Sequence, residues 1–465
     1  MSERAVSERA VSEQGSEQGM RDTTVVIRNV SPLGGERVDL VLADGKIAAI
    51  TSPGHSENSG ATNDASARSI EIDGSALIAL PGLVDLHTHL REPGREDAET
   101  VVTGSRAAAL GGFTAVHAMA NTNPVADTAG VVEQVWRLGR EAGLVDVHPV
   151  GAVTVGLDGE HLAELGAMAD SAARVRVFSD DGKCVHDPVV MRRALEYVKA
   201  FDGVIAQHAQ EPSLTEDAQM NEGDVSGVLG LRGWPAVAEE AIIARDVLLA
   251  EHVSSRLHIC HVSTAGSVEI IRWAKSRGIN VTAEVTPHHL LLIDESATTY
   301  DPVFKVNPPL RTKVDVDALR EALADGTIDV VATDHAPHAS QDKDCEWGSA
   351  AFGMLGLQTA LSVVAEAMIE TGLMDWAGVA DRMSTAPARI GRVFDHGRPI
   401  AVGEPANLVL LDPSARTVIH SDGLASKSQN TPYAGLNLPV RVTHTFLRGQ
   451  PTVLDSVLAD MNPKI

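Results

Sequence analysis

Ala79-Leu80-Pro81-Gly82-Leu83-Val84-Asp85-Leu86-His87-Thr88-His89-Leu90-Arg91-Glu92-Pro93-Gly94 begins as an apolar strand and ends in charged and turn-forming residues. Side chains alternate faces along a strand, so His87 and His89, two apart, point the same way. Two imidazoles side by side at a strand end can grip one metal ion. The alternative is a pair of polar residues leaving a core strand, but Arg91 and a turn follow at once. The rest of the chain has to supply the other ligands or refute a metal site.

Around this stretch a rhythm of apolar strand, loop and helical segment recurs. Strand-like runs are 77–86, 114–119, 146–153, 175–178, 203–206, 256–260, 280–285 and 329–332. Amphipathic segments lie between them at 97–110, 131–142, 188–200, 237–251 and 267–276. Eight strands, each followed by a helix or long loop, predict an α/β fold, a (β/α)8 TIM-like barrel over residues 77–390. A doubly wound open sheet is the runner-up, but no Gly-rich dinucleotide fingerprint follows a strand. Further helical stretches are expected near 354–371 and ending near Pro387-Ala388-Arg389.

Both ends of the chain read differently. Residues 1–22 repeat SERAV and SEQG without an apolar face and predict a disordered tail. Short alternating runs at 24–28, 38–42, 46–50 and 69–72, separated by turn signals, make 23–76 a small β unit, with an exposed loop at 52–67. Strand character returns in 391–465, at 406–411, 441–447 and 451–453. The two ends are expected to pair as one small composite β-sandwich beside the barrel.

Composition narrows the function classes. An apolar content of 44% and a charged content of 22% are ordinary for a soluble globular protein of 465 residues. The net charge of −25 argues against a nucleic-acid or anionic-membrane surface, so an anionic substrate needs local cations such as Arg91. No apolar run is long enough to span a membrane, and the first twenty residues lack the apolar core of a secretory signal. Three cysteines without CxxC spacing suggest no disulfide framework. A cytoplasmic enzyme fits these features.

In such a barrel the active site lies where the strands end. The polar residues there are His87, His89 and Arg91 after the first run, Asn121 after the second, and Asp180 and Asp181 after the fourth. His208 follows the fifth, His261 the sixth and Asp334 the eighth. Imidazole and carboxylate without thiolate suit Zn²⁺ best. Six ligands exceed what one catalytic zinc takes, so two ions sharing a bridging carboxylate are expected, a pairing that activates water. Of Asp180 and Asp181, one is a ligand and the other a loop or helix-start residue. His117, His148 and His258 lie inside apolar runs and are assigned to structure, as is His335. His288 and His289 end the seventh run and are kept as supporting or structural residues, and His338 is retained as a candidate. Cys260 reads as a small buried residue.

The segments 81–89 and 332–338 resemble the amidohydrolase superfamily. More narrowly, His89-Leu90-Arg91-Glu92-Pro93-Gly94, Phe178-Ser179-Asp180-Asp181-Gly182, Cys260-His261-Val262-Ser263-Thr264, Val306-Asn307-Pro308-Pro309-Leu310-Arg311 and Ala351-Phe352-Gly353-Met354 resemble the bacterial type I dihydroorotases. The likeness runs from about residue 23 to near the C-terminus. It implies that His87, His89 and Asp334 hold a first metal, that Asp181 bridges, and that His208 and His261 hold a second. It implies Asp334 as the catalytic base and acid, and His89, Arg91, Asn121, Asn307, His338 and the Phe352-Gly353 backbone as substrate contacts. Related hydantoinases bridge their metals with a carboxylated lysine; here the fourth strand offers Asp-Asp, and Lys183 is displaced from the bridging position. Ala120 replaces a common proline, and Gln207-His208-Ala209-Gln210-Glu211 departs from the usual wording. The implied reaction is cyclisation of N-carbamoyl-L-aspartate to L-dihydroorotate. Implied partners are that small-molecule substrate, further copies of the chain and aspartate transcarbamoylase. The competing readings are an allantoinase or hydantoinase, and a non-catalytic scaffold for the transcarbamoylase, although such scaffolds lose ligands that are all present here.

Overall fold

The structure is a computed structural model that describes residues 23–54 and 69–459. The expected tail at 1–22, most of the expected loop at 52–67 and the last six residues lie outside the described residues.

Eight parallel strands close into a barrel. Leu83–Thr88, Phe113–Ala118 and Asp146–Pro149 pair in order. Val177–Phe178, Val204–Gln207, Leu257–Ile259, Val281–Val285 and Val330–Val331 pair in a second group. Parallel bridges between Gly151 and Phe178, and between Thr88 and His335, join the two groups into a ring. The last bridge matters for chemistry, because it seats the exit of strand eight against the exit of strand one. Helices Val101–Leu110, Ala129–Ala142, Pro188–Val198, Val237–Val253 and Ala265–Ser276 cover the outside, near the predicted segments. Their starts are fixed locally: the Asp187 carboxylate accepts from the Val189 and Val190 N–H groups, and Thr264 from Ser267. Helix Lys313–Asp325, opened by a Thr312–Asp315 capping box, fills the long connection to strand eight.

The stretch 77–86 is not one barrel strand. Ile78–Pro81 pairs antiparallel with Leu408–Val418 and parallel with Thr24–Pro32, so it belongs to the sheet built from the chain ends. The chain then breaks at Gly82 and enters the barrel at Leu83. A Cβ at Gly82 would lie 2.3 Å from Thr114 Cγ2, so only glycine allows this close crossing. Apolar periodicity alone does not distinguish two buried strands in tandem from one long one.

The two chain ends share one nine-stranded sheet. It runs from Val457–Leu458 through Gln450–Leu454, Asn437–Leu447, Leu408–Val418, Ile78–Pro81 and Thr24–Pro32 to Val38–Ala43 and Lys46–Thr51, with Ser69–Asp73 paired to Thr24–Pro32. Val25, Ile27, Leu40 and Ile47 from the N-terminal side pack with Leu408, Leu410 and Phe446 from the C-terminal side in a common buried core. The composite sandwich expected from the sequence is therefore present.

Candidate active site and metal centre

The residues at the strand exits converge. His87 Nε2 is 3.3 Å from Asp181 Oδ1 and 3.5 Å from Asp334 Oδ1. His89 Nε2 is 3.3 Å from Asp181 Oδ2 and 3.0 Å from Asp334 Oδ1. On the other side of Asp181, Oδ1 is 3.2 Å from His261 Nε2 and 3.4 Å from His208 Nδ1. All six residues are buried. Asp181 thus stands between two pairs of imidazoles.

This donor set fits metal ions. His87, His89 and Asp181 present ligand atoms within 4.8 Å of one another, as do Asp181, His208 and His261. His87 Nε2 is fully buried and makes no hydrogen bond, while His208 Nδ1 and His261 Nε2 face each other at 2.8 Å. Buried polar atoms left in this state call for a partner, and a cation between them supplies it.

The nitrogens facing away from the centre are occupied. Glu284 Oε1 accepts from His87 Nδ1 at 2.7 Å, Asn121 Oδ1 from His89 Nδ1 at 2.9 Å, and Gln210 Oε1 from His208 Nε2 at 2.7 Å. Each bond leaves the ring's other nitrogen facing inward, towards Asp181 and Asp334 and available to a metal. Glu284 escaped the sequence reading although it is the lone acid in the strand Val281–Val285, which was the available signal. Its other oxygen lies 2.9 Å from His258 Nε2, so His258, assigned to structure, braces the carboxylate behind a metal-ligand candidate.

Of the Asp pair, Asp180 faces elsewhere. Its Oδ1 accepts from the Val153 and Thr154 N–H groups at 2.8 and 3.0 Å, and Oδ2 takes the Thr154 hydroxyl. Lys183 is exposed and outside the cluster. Burial by itself would raise the Asp181 carboxyl, but His87 and hydrogen bonds from His208 and His261 hold it well below the usual carboxylate range. Asp334 is governed likewise: burial opposes ionisation, yet His87 and His89 bring it down to about 2. Both carboxylates are anionic at neutral pH.

The residues expected to touch substrate form a wall beside this centre. Arg91 Nε donates to Pro337 O at 3.0 Å, and its terminal nitrogen lies 3.3 Å from His338 Nε2. Burial lowers the Arg91 guanidinium to about 10, which leaves it charged. His338 is 2.8 Å from Phe352 O, and burial with the Arg91 charge pushes it down to about 2, keeping it neutral. Gly353 has φ 137°, and a Cβ there would lie 2.8 Å from His338 Nε2. Asn307 Nδ2 donates to Gln210 Oε1 at 3.1 Å. Asn121 sits against His89 as its hydrogen-bond partner. Arg91, His261 and Asp334 have φ of 64°, 30° and 46°, a backbone region side chains rarely adopt, all at strand exits.

The other histidines sort by contact. His335 lies 3.3 Å from Glu99 and accepts from Gly356 N, which makes it structural as expected. His289 pairs with Thr286 and reaches Pro308 O, whereas both nitrogens of buried His288 lack partners.

A barrel rim with two imidazole pairs around a buried carboxylate has the donor set of a metal-dependent hydrolase. In fold it is similar to the L-hydantoinase (dihydropyrimidinase) of Arthrobacter aurescens, with a TM-score of 0.80 at 24% identity over 94% of this chain and 97% of that one. A family profile described as Dihydro-orotase-like matches residues 76–267. Dihydroorotases of Streptomyces coelicolor and Mycobacterium tuberculosis are 69% and 57% identical, each covering 93% of this chain and 99% of that relative. The chain belongs to the dihydroorotase family.

Proposed function

We propose that this chain interconverts N-carbamoyl-L-aspartate and L-dihydroorotate in pyrimidine nucleotide synthesis. The observation that carries this reading is the placement of Asp181 between His87 and His89 on one side and His208 and His261 on the other. An aspartate in that position, with Lys183 exposed outside the cluster, favours dihydroorotase over the lysine-bridged hydantoinases that share the fold. The dihydroorotases at 57–69% identity support it.

In this reading His87, His89, Asp181 and Asp334 would hold one Zn²⁺, and His208 and His261, with Asp181, would hold a second. When bound, such ions lower the pKa of water from about 16 towards neutrality and polarise a carbonyl oxygen. Asp334, anionic and 3.0 Å from His89, takes a proton from the attacking water and delivers it to the departing ring nitrogen. In the reverse direction Asp334 takes the proton of the ureido nitrogen as it attacks the side-chain carboxylate, and returns it to the carboxylate oxygen, which departs as water. Arg91 offers its planar fork to the α-carboxylate of the substrate, steadied by the carbonyl of Pro337 and by His338. Asn121 holds His89 in place and lines the same wall. Asn307 and the Phe352-Gly353 backbone bound the far side of the substrate.

No described helix is long and apolar enough to cross a membrane. We place the enzyme in the cytoplasm, with self-association and a complex with aspartate transcarbamoylase as its protein contacts. Initial rates on dihydroorotate, allantoin and hydantoin, combined with metal analysis, test the assignment; a preference for either of the latter two would reverse it.

A further inference from the structure

The amino-terminal end of the barrel, opposite the histidine rim, carries a second concentration of charge. A cavity of about 500 Å³ lies where strands Val204–Gln207, Leu257–Ile259 and Val281–Val285 begin. Lys199, Asp202, Arg256, Arg389 and Arg392 line it. Four cations therefore face one carboxylate, in a chain whose net charge is −25. That imbalance is opposite in sign to the rest of the molecule.

Asp202 is already shared, at 2.5 Å from Arg392 and 3.8 Å from Arg256. Arg256 is held in place by the carbonyls of Asp202 and Ile390 at 2.8 and 2.7 Å. Burial, with Arg392 and Arg389 beside it, lowers its guanidinium to about 10. Arg392 follows helix Ala386–Gly391 with φ 61°, and its Nε is buried with no hydrogen-bond partner among the described residues. Arg389 is exposed and forms no ion pair among the described residues. Guanidinium groups crowded together raise one another's cost unless an anion neutralises them.

We infer that this cavity is a binding site for a small molecule carrying a di- or triphosphate. Three uncompensated positive charges match such a group, whereas a lone carboxylate would neutralise only one. Guanidinium forks pair two-to-one with phosphate oxygens, and Arg256, Arg389 and Arg392 bring three such groups to one cavity. The volume falls within the roughly 300–1,000 Å³ common for small-molecule sites. The site is separate from the catalytic rim and makes no use of its residues.

Calorimetric titration of the full, metal-loaded chain with sodium pyrophosphate at constant ionic strength tests the assignment. Arg389→Gln serves as the comparison, because Arg389 is exposed, forms no ion pair among the described residues and is remote from the rim. The unaltered chain is expected to bind one pyrophosphate with a sub-millimolar Kd. Arg389→Gln should weaken that binding at least tenfold with Tm and dihydroorotate turnover unchanged. No saturable heat in the unaltered chain overturns the assignment. So does equal affinity in Arg389→Gln, which would locate the anion at the metal rim instead.

Discussion

His87 Nδ1 lies 2.7 Å from Glu284 Oε1, and the carboxylate is buried beneath the rim with His258 on its other oxygen. A histidine so held presents its other nitrogen inward, and the carboxylate makes that nitrogen more basic. Burial disfavours the Glu284 charge, but His87 and His258 keep it far below the usual carboxylate range. Glu284→Gln removes that charge with little change of shape. It should weaken metal retention about 10- to 100-fold, as loss of such supporting carboxylates does. Metal remaining after titration with a chelator measures this; retention equal to the unaltered chain would make Glu284 a structural residue.

Arg91→Lys removes the planar fork while keeping the positive charge. KM for dihydroorotate should rise at least tenfold with metal content unchanged. Steady-state kinetics beside metal analysis gives both quantities, and an unaltered KM would take Arg91 out of substrate binding.

Gly353→Ala tests the support behind that arginine. The added Cβ would meet Ala336 Cβ at 2.7 Å and His338 Nε2 at 2.8 Å, at a φ of 137° that alanine tolerates poorly. His338 must move, and Arg91 loses its neighbour. We expect kcat/KM to fall about tenfold or more, equal to ~1.4 kcal/mol of transition-state stabilisation, with metal content retained.

Asp146 gives the pH dependence of stability away from the metal centre. It lies 2.8 Å from His396 and forms a two-pronged pair with Arg448 at 2.5 and 3.0 Å. Burial would raise its carboxyl, but His396 and Arg448 bring it well below the usual range. A carboxyl with a depressed folded pKa stabilises the fold above its unfolded pKa of about 3.9, and that contribution is lost as pH falls through the folded value. Asp146→Asn should cost about 2 kcal/mol at neutral pH and little in strong acid. Denaturant unfolding at pH 7 and near pH 2 checks the sign; an equal cost at both values would deny the ionic contribution.

The barrel was legible because eight apolar runs recur with helices between them, and five of those helices lie close to the segments that amphipathicity marked. The site was legible because its residues follow strands, where a period of two and the fold's geometry fix their direction. The break at Gly82 was hidden: both strands it separates are buried throughout, so no polar residue marks where one sheet ends and the other begins. Glu284 was hidden for a different reason. It sits within a strand rather than at its exit, and its pairing with His87 crosses 197 residues of sequence. Asp180 and Asp181 are adjacent and chemically alike; only the Val153 and Thr154 donors, contributed by the preceding barrel unit, separate their roles.

We propose that Asp181, flanked by two imidazole pairs, makes this chain a metal-dependent dihydroorotase with Asp334 moving the proton. Ring opening of L-dihydroorotate should be followed with purified protein, with the same protein after metal removal and Zn²⁺ restoration, and with Asp334→Asn. The unaltered chain is expected to turn over, to lose activity without metal and to regain it with Zn²⁺. Activity should drop at least 10²-fold in a folded Asp334→Asn that still holds metal. Near-normal turnover by Asp334→Asn, or by the metal-free protein, would contradict it.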